Sequence, residues 1–279
     1  MPFAYSRASY TRYLEAVGAD SYLDLTRRTD PARWPRGWQI LDEMLREFGA
    51  PWVLQLWTKD PHTVALAGRQ QLEQLRQHSL ITAQVTDTGL AGSFWEPGVP
   101  AGALDSVSEL ASLIGGTSHI NWRYDPIIPT VHRTDTFRAL AERAAALGIR
   151  RATINFISQP GTYRRVDRRL ASRLPGWAEG MPGYDLSWQA DQAHELLAIA
   201  QPLGIRLAVC AESAGLVRQV PGLAGAACGD RTWFSALSGH SPSAPVRASR
   251  KGCGCLVHYD LGSYGNWTRC HGCIYCYAG

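Results

Sequence analysis

Six short apolar runs recur along the first 210 residues, each closing on polar side chains, with stretches of helical periodicity between them. No other feature constrains the fold as much. The runs are Tyr22 to Thr26, Pro51 to Trp57, Leu80 to Val85, His119 to Trp122, Ala152 to Ile157 and Arg206 to Cys210. Between them, apolar residues at helical spacing predict helices over about 37–48, 64–78, 104–114, 134–147 and 187–202. The third of these stops at Gly115-Gly116, a normal helix end. Strand, helix and next strand at such intervals imply right-handed crossovers and a parallel sheet. The expected class is α/β. A (β/α) barrel, complete or partial, competes with an open doubly wound sheet. No G-x-G-x-x-G follows the first run, which weakens the dinucleotide-binding version of the open sheet. The expectation is therefore a (β/α) barrel over 1–234, followed by a linker and a cysteine-rich, cluster-binding tail over 235–279. Seventh and eighth strands are not distinct between Leu223 and Tyr259.

The composition supports a folded enzyme-sized domain. Of 279 residues, 45% are apolar, enough for one large core. Charged residues are 19%, and the net charge of +4 is too small to argue for a nucleic-acid partner. No stretch approaches eighteen consecutive apolar residues, so a transmembrane helix is not expected. The opening MPFAYSRASY has no signal-peptide character, and the expected location is cytoplasmic. Lys59 and Lys251 are the only lysines; the dominance of Arg, with many Ala and Gly, fits a GC-rich bacterial genome.

In a barrel the carboxyl ends of the strands converge on one mouth. Here those ends carry Arg27, Arg28 and Asp30; Thr58, Lys59 and Asp60; Thr86 and Asp87; Arg123 and Asp125; Asn155 and Ser158; and Glu212. Such a mixture of cations and carboxylates suits a small anionic or zwitterionic substrate. Arg27, Arg28 and Arg123 are the candidates for substrate binding, and Lys59, Asp125 and Glu212 for catalysis. Helix caps and surface ion pairs are the competing explanation, above all for Asp60 and Asp125, which precede prolines. The Arg-rich stretch within 159–183 reads as a basic lid or as a solvated helix, and no nucleic-acid motif accompanies it.

All seven cysteines lie beyond residue 209, and the odd number argues against a disulfide framework. Cys270, Cys273 and Cys276 can reach three corners of one 4Fe-4S cluster, leaving the fourth iron open or ligated from elsewhere. Structural zinc is the rival, because Cys-x-x-Cys is also half of a zinc knuckle. Cys210, Cys228, Cys253 and Cys255 are candidates for a second metal site, or are small buried apolar residues. His258 and His271 stand as supporting groups or as ordinary packing histidines.

Several segments resemble the bacterial family of domain of unknown function 1848. They are Thr26-Arg27-Arg28-Thr29-Asp30, Leu56-Trp57-Thr58-Lys59-Asp60-Pro61, Glu96-Pro97-Gly98-Val99-Pro100, Trp122-Arg123-Tyr124-Asp125-Pro126-Ile127, Cys210-Ala211-Glu212, Cys253-Gly254-Cys255, Asp260-Leu261-Gly262-Ser263-Tyr264 and Cys273-Ile274-Tyr275-Cys276-Tyr277-Ala278. The resemblance implies a C-terminal cysteine cluster similar to the cluster loop of radical S-adenosylmethionine enzymes, with Tyr275 at the loop's aromatic position. The first spacing, Cys-x-x-Cys, is one residue shorter than in that loop. No Gly-Gly-Glu follows the second strand to hold a methionine amine.

The resulting expectation is an iron–sulfur enzyme acting on a small molecule. S-adenosylmethionine or the substrate itself would meet the open iron, and a ferredoxin or flavodoxin would serve as electron donor. An electron-transfer protein without substrate chemistry and a zinc-stapled hydrolase or lyase are the alternatives. Neither a membrane nor a nucleic acid is expected as partner.

Overall fold

The computed structural model describes residues 5–174, 176–177, 185–210, 214–246, 253–262 and 270–278. Its elements follow one another as α1 (Arg7–Val17), β1 (Tyr22–Leu25), α2 (Pro35–Phe48), β2 (Val53–Thr58), α3 (Pro61–Leu75), β3 (Leu80–Thr86), α4 (Val107–Ile114), β4 (Ile120–Ile127), α5 (Thr134–Ala146), β5 (Arg151–Phe156), α6 (Arg164–Ala171), α7 (Leu186–Ala200), β6 (Arg206–Cys210), α8 (Ala214–Gln219), β7 (Ala224–Ala226), α9 (Arg231–Ser238) and β8 (Tyr259–Asp260). Local chemistry sets several boundaries. Asp60 caps α3 by accepting from the Thr63 N–H at 3.1 Å, with Pro61 in the first turn. Asp230 caps α9 through the Thr232 and Trp233 amides. Gly115, at φ +116°, ends α4.

The eight strands form one parallel sheet in the order β7-β6-β5-β4-β3-β2-β1-β8. The six expected strands are present, and β4 extends five residues past Trp122 to include Arg123 and Asp125. Two short strands and helices α1, α8 and α9 add to the expected set, and α6 forms in the Arg-rich stretch. Tyr259 and Asp260, in the tail, pair with Leu23 and Asp24 of β1.

The sheet is rolled. Gln84 on β3 donates to the carbonyl of Cys228, just past β7, at 3.3 Å. Four strand spacings in a flat sheet would separate them by roughly 19 Å. Among the described residues no ladder joins β7 to β8. Their neighbourhoods meet where the Leu256 N–H donates to the Gly229 carbonyl at 3.0 Å.

Alternation along the strands divides the residues between two faces. Leu23, Leu25, Leu54, Leu56, Ile81, Ala83, Val85, Trp122, Ile154 and Val209 face the helices and form the main core. The concave face is layered. At its floor Tyr22, Val53, Leu80, Trp233, Phe234 and Leu256 make an apolar plug, two of them supplied by α9. Above the plug lies a buried polar belt. Gln55 donates to Tyr22 Oη (2.6 Å) and to Asp24 (3.2 Å). Gln84 donates to Gln55 (3.0 Å), and Asn121 donates to Gln84 (2.6 Å) and Thr153 (3.1 Å). Each amide finds partners on neighbouring strands, so the buried belt is satisfied. Among the described residues, no helix is long and apolar enough to cross a membrane.

Candidate active site

Above the belt, at the carboxyl ends of the strands, opens a cavity of about 460 Å³. Arg27, Arg28, Lys59, Thr86, Arg123, Asp125, Asn155 and Ser158 all line it. Residues scattered over 130 positions are thus brought to one mouth. The remaining strand-end candidates serve the scaffold. Asp87 holds the Gly89 and Leu104 amides, Asp60 is the helix cap, and Thr58 donates to both oxygens of Asp30. Glu212 lies outside the described residues.

Two guanidinium groups share the indole of Trp57, with Arg27 4.9 Å and Arg123 5.2 Å from its centroid. Both are held from below. Arg27 Nε donates to Asp24 Oδ2 at 2.5 Å and Trp57 Nε1 to Asp24 Oδ1 at 2.7 Å, which makes the fully buried Asp24 the anchor of the group. Arg123 donates to Asp125 and, at 3.2 Å, to Cys228 Sγ. Arg28 donates to the Gly262 carbonyl at 2.8 Å and pairs with Asp260 at 3.5 Å. Planar cations fixed by stacking and ion pairs lose little freedom on meeting a carboxylate or phosphate.

Lys59 Nζ donates to Glu96 Oε1 at 2.8 Å. The same oxygen accepts from Thr88 Oγ1 at 2.9 Å and from the Tyr275 hydroxyl. Burial pushes the Lys59 ammonium down, but the charge and hydrogen bond of Glu96, with the charges of Cys273 and Asp125, together outweigh it and keep the group above its ordinary range. Lys59 is a fixed cation here rather than a base. Asp260 also lines the cavity, and burial, reinforced by the charge of Asp24, pushes its carboxyl up to about 6 against the pull of Arg28. That makes it a proton-holding group near neutral pH.

The loop carrying Cys270, Cys273 and Cys276 is docked by named contacts. The Asp30 N–H donates to Cys270 Sγ at 3.4 Å. His271 is buried between the Gly98 carbonyl (Nδ1, 2.9 Å) and Asp30 Oδ2 (Nε2, 2.8 Å). Burial lowers its pKa, and the hydrogen bond and charge of Asp30 more than restore it. The Gly98 and Ile274 amides donate to the carbonyls of His271 (3.0 Å) and Trp95 (3.1 Å). From α6, Arg169 reaches the carbonyls of Ile274 and Cys276, and Tyr163 stacks on Tyr277. The basic segment after β5 therefore grips the cysteine loop. Ile274 packs with Trp95, Ile128, Ile157 and Leu170 in a small core of its own.

The three thiols are close enough to influence one another, and Cys276 lines the cavity. Burial pushes Cys270 up to about 11 and Cys273 to about 12. Cys210, Cys228, Cys253 and Cys255 cluster with Ala208 and Ala226, and the first three also line the cavity. Among the described residues, no group of three or more His, Cys, Asp or Glu side chains stands already arranged to hold a metal ion. The fit of a metal accordingly rests on the donor set: soft sulfur donors from one short loop, with an amide aimed at one of them, are the ligands that iron–sulfur clusters and zinc take.

Sequence reasoning passed over Asp24, Glu96, Asp260 and Trp57 as site residues. Asp24 carried one usable signal, a lone charge inside an apolar run and in phase with its concave face. Glu96 was marked only by the resemblance of its segment, because two of its three partners, Lys59 and Tyr275, come from distant parts of the chain. No curated protein matches the chain. Strands β2 to β8, the Glu96 turn and both cysteine groups all fall within residues 50–278, where the family described as a domain of unknown function (DUF1848) matches, and the chain belongs to that family.

Proposed function

We propose that the chain is an iron–sulfur enzyme that acts on a small anionic or zwitterionic substrate in the cavity at the strand ends. In this reading the rolled sheet is a barrel, with its seam between β7 and β8. The observation that carries the proposal is that one cavity of about 460 Å³ is lined at once by Arg27, Arg28, Lys59 and Arg123, by Asp125 and Asp260, and by Cys276 of the tail loop. A carrier of electrons alone has no use for a walled cavity of that composition.

Cys270, Cys273 and Cys276 would hold the cluster. Held by three thiolates, a 4Fe-4S cluster supplies one iron with a free coordination position, open to a substrate heteroatom or to S-adenosylmethionine. The chain's own residues do the rest. Arg27 and Arg123, pre-set on Trp57, and Arg28 bind and orient the anionic end of the substrate. Lys59 adds a permanent positive charge and, through Glu96, fixes Tyr275 and with it the cysteine loop. Asp260 and Asp125 are placed to hold or accept a proton, with Glu212 a third candidate from the strand β6 end. The buried belt below the cavity keeps bulk water from the floor.

The test is anaerobic purification and reconstitution with iron and sulfide. The wild-type chain is expected to be brown and to lose roughly four irons in the C270A/C273A/C276A variant. Its reduced cluster should give an electron paramagnetic resonance signal that changes on adding S-adenosylmethionine or an anionic ligand. A colourless protein with stoichiometric zinc alone, or an iron content that the triple variant leaves unchanged, sinks the reading.

A further inference from the structure

Beside the cavity lie four cysteines that the proposed function does not use. Cys210 ends β6, Cys228 follows β7, and Cys253 and Cys255 precede β8. All four are buried and share one cluster. Cys210 and Cys228 have their Sγ atoms 3.4 Å apart, and Cys255 Sγ accepts from the Cys228 backbone amide.

Hydrogen-bond donors are directed at two of these sulfurs. The Cys228 and Gly229 amides both donate to Cys255 Sγ, at 3.1 and 3.4 Å, and Arg123 donates to Cys228 Sγ at 3.2 Å. Amides and a guanidinium directed at sulfur stabilise negative charge there. Four soft sulfur donors gathered in one buried cluster are the ligand set of a thiophilic metal. The 3.4 Å separation lies a few tenths of an ångström inside the edge, about 3.8 Å, of a tetrahedron built on metal–sulfur bonds of about 2.3 Å. It is far from a disulfide of about 2.0 Å, and Cys253 and Cys255, one residue apart, are poorly placed to bridge each other.

We infer that Cys210, Cys228, Cys253 and Cys255 form a second metal centre, ligated entirely by protein thiolates and separate from the tail loop. It joins the end of β7 to the chain entering β8, the two places where the sheet's edges meet. It takes a thiophilic metal, as a single ion or as a cluster, and it leaves no position open to substrate. The inference does not rest on what the tail loop binds.

The C270A/C273A/C276A variant separates the two sites. Purified anaerobically and folded by circular dichroism, it is expected to retain metal: one equivalent for a single zinc or iron, or roughly four irons for a cube. X-ray absorption should show a sulfur-only first shell at about 2.3 Å. Adding C253S to that background should remove the metal. A folded triple variant without metal overturns the inference, as does a Cys210–Cys228 disulfide in anaerobically handled protein. If the triple variant does not fold, the wild-type chain provides the readout. Maleimide labelling of the four cysteines should be slow until a chelator is added and fast afterwards. Labelling at the same rate with and without chelator overturns the proposal.

Discussion

Asp260 sits beside Asp24 and Arg28, and its carboxyl is pushed from 3.8 to about 6. The folded chain therefore binds more protons than the unfolded chain between about pH 4 and pH 6. Stability contributed by the protonated group is present below the lower value and is lost as pH rises through the upper one. Two pKa units correspond to about 3 kcal/mol. Asp260→Asn keeps an acceptor for the Gly262 amide and removes the buried charge. It is expected to raise the urea midpoint at pH 8 by an amount that disappears at pH 4, while weakening any reaction that uses the carboxyl. Equal loss of stability at both pH values would mean that the Arg28 pair outweighs the cost of burial. At this scale Arg27, Lys59, Arg123 and Asp125 were legible because they end strands. Asp24 and Glu96 were not, since a carboxylate can be buried only with donors that a linear reading does not bring near it.

The cysteine loop and the Glu96 turn meet backbone to backbone at Gly98. A Cβ there would lie 2.6 Å from the His271 carbonyl oxygen, so the two segments would have to separate. Gly98→Ala is expected to cost about 1–3 kcal/mol, as overpacking does. It should open the 270–278 segment to limited proteolysis while leaving far-ultraviolet circular dichroism unchanged. Unaltered cleavage would show that the contact does not hold the loop. The longer strands and the helices between them could be read from sequence because their apolar runs are the sheet's outer face. Strands β7 and β8 could not. Three residues of Ala and Gly and the pair Tyr259–Asp260 have little preference for a strand by themselves, and pairing with β6 and β1 creates them. The grip of α6 on the loop was equally hidden, because Arg169 looks like its exposed neighbours until Ile274 and Cys276 are beside it.

Across the whole molecule the seam is the weakest part of the sheet. Strands β2 to β5 are paired on both sides, whereas β7 and β8 are paired by ladder on one side each among the described residues. Amide hydrogen exchange is expected to be slowest in β2 to β5. After chelation it should rise selectively at 224–230 and 255–260. A uniform rise over all strands would show that the cysteine wall contributes nothing local. The gathering of Cys270, Cys273 and Cys276 in one loop was legible in their spacing. That two sulfur groups and three arginines share one cavity was not, because only the roll of the sheet brings them together. The plugged floor has a kinetic corollary. With Tyr22, Val53, Leu80, Phe234 and Leu256 closing the lower end, the described residues leave the well open at the strand-end mouth. For the proposed reaction, a spent molecule would leave by the route its successor takes, so the two compete for the same passage, and inhibition by product should follow a competitive pattern.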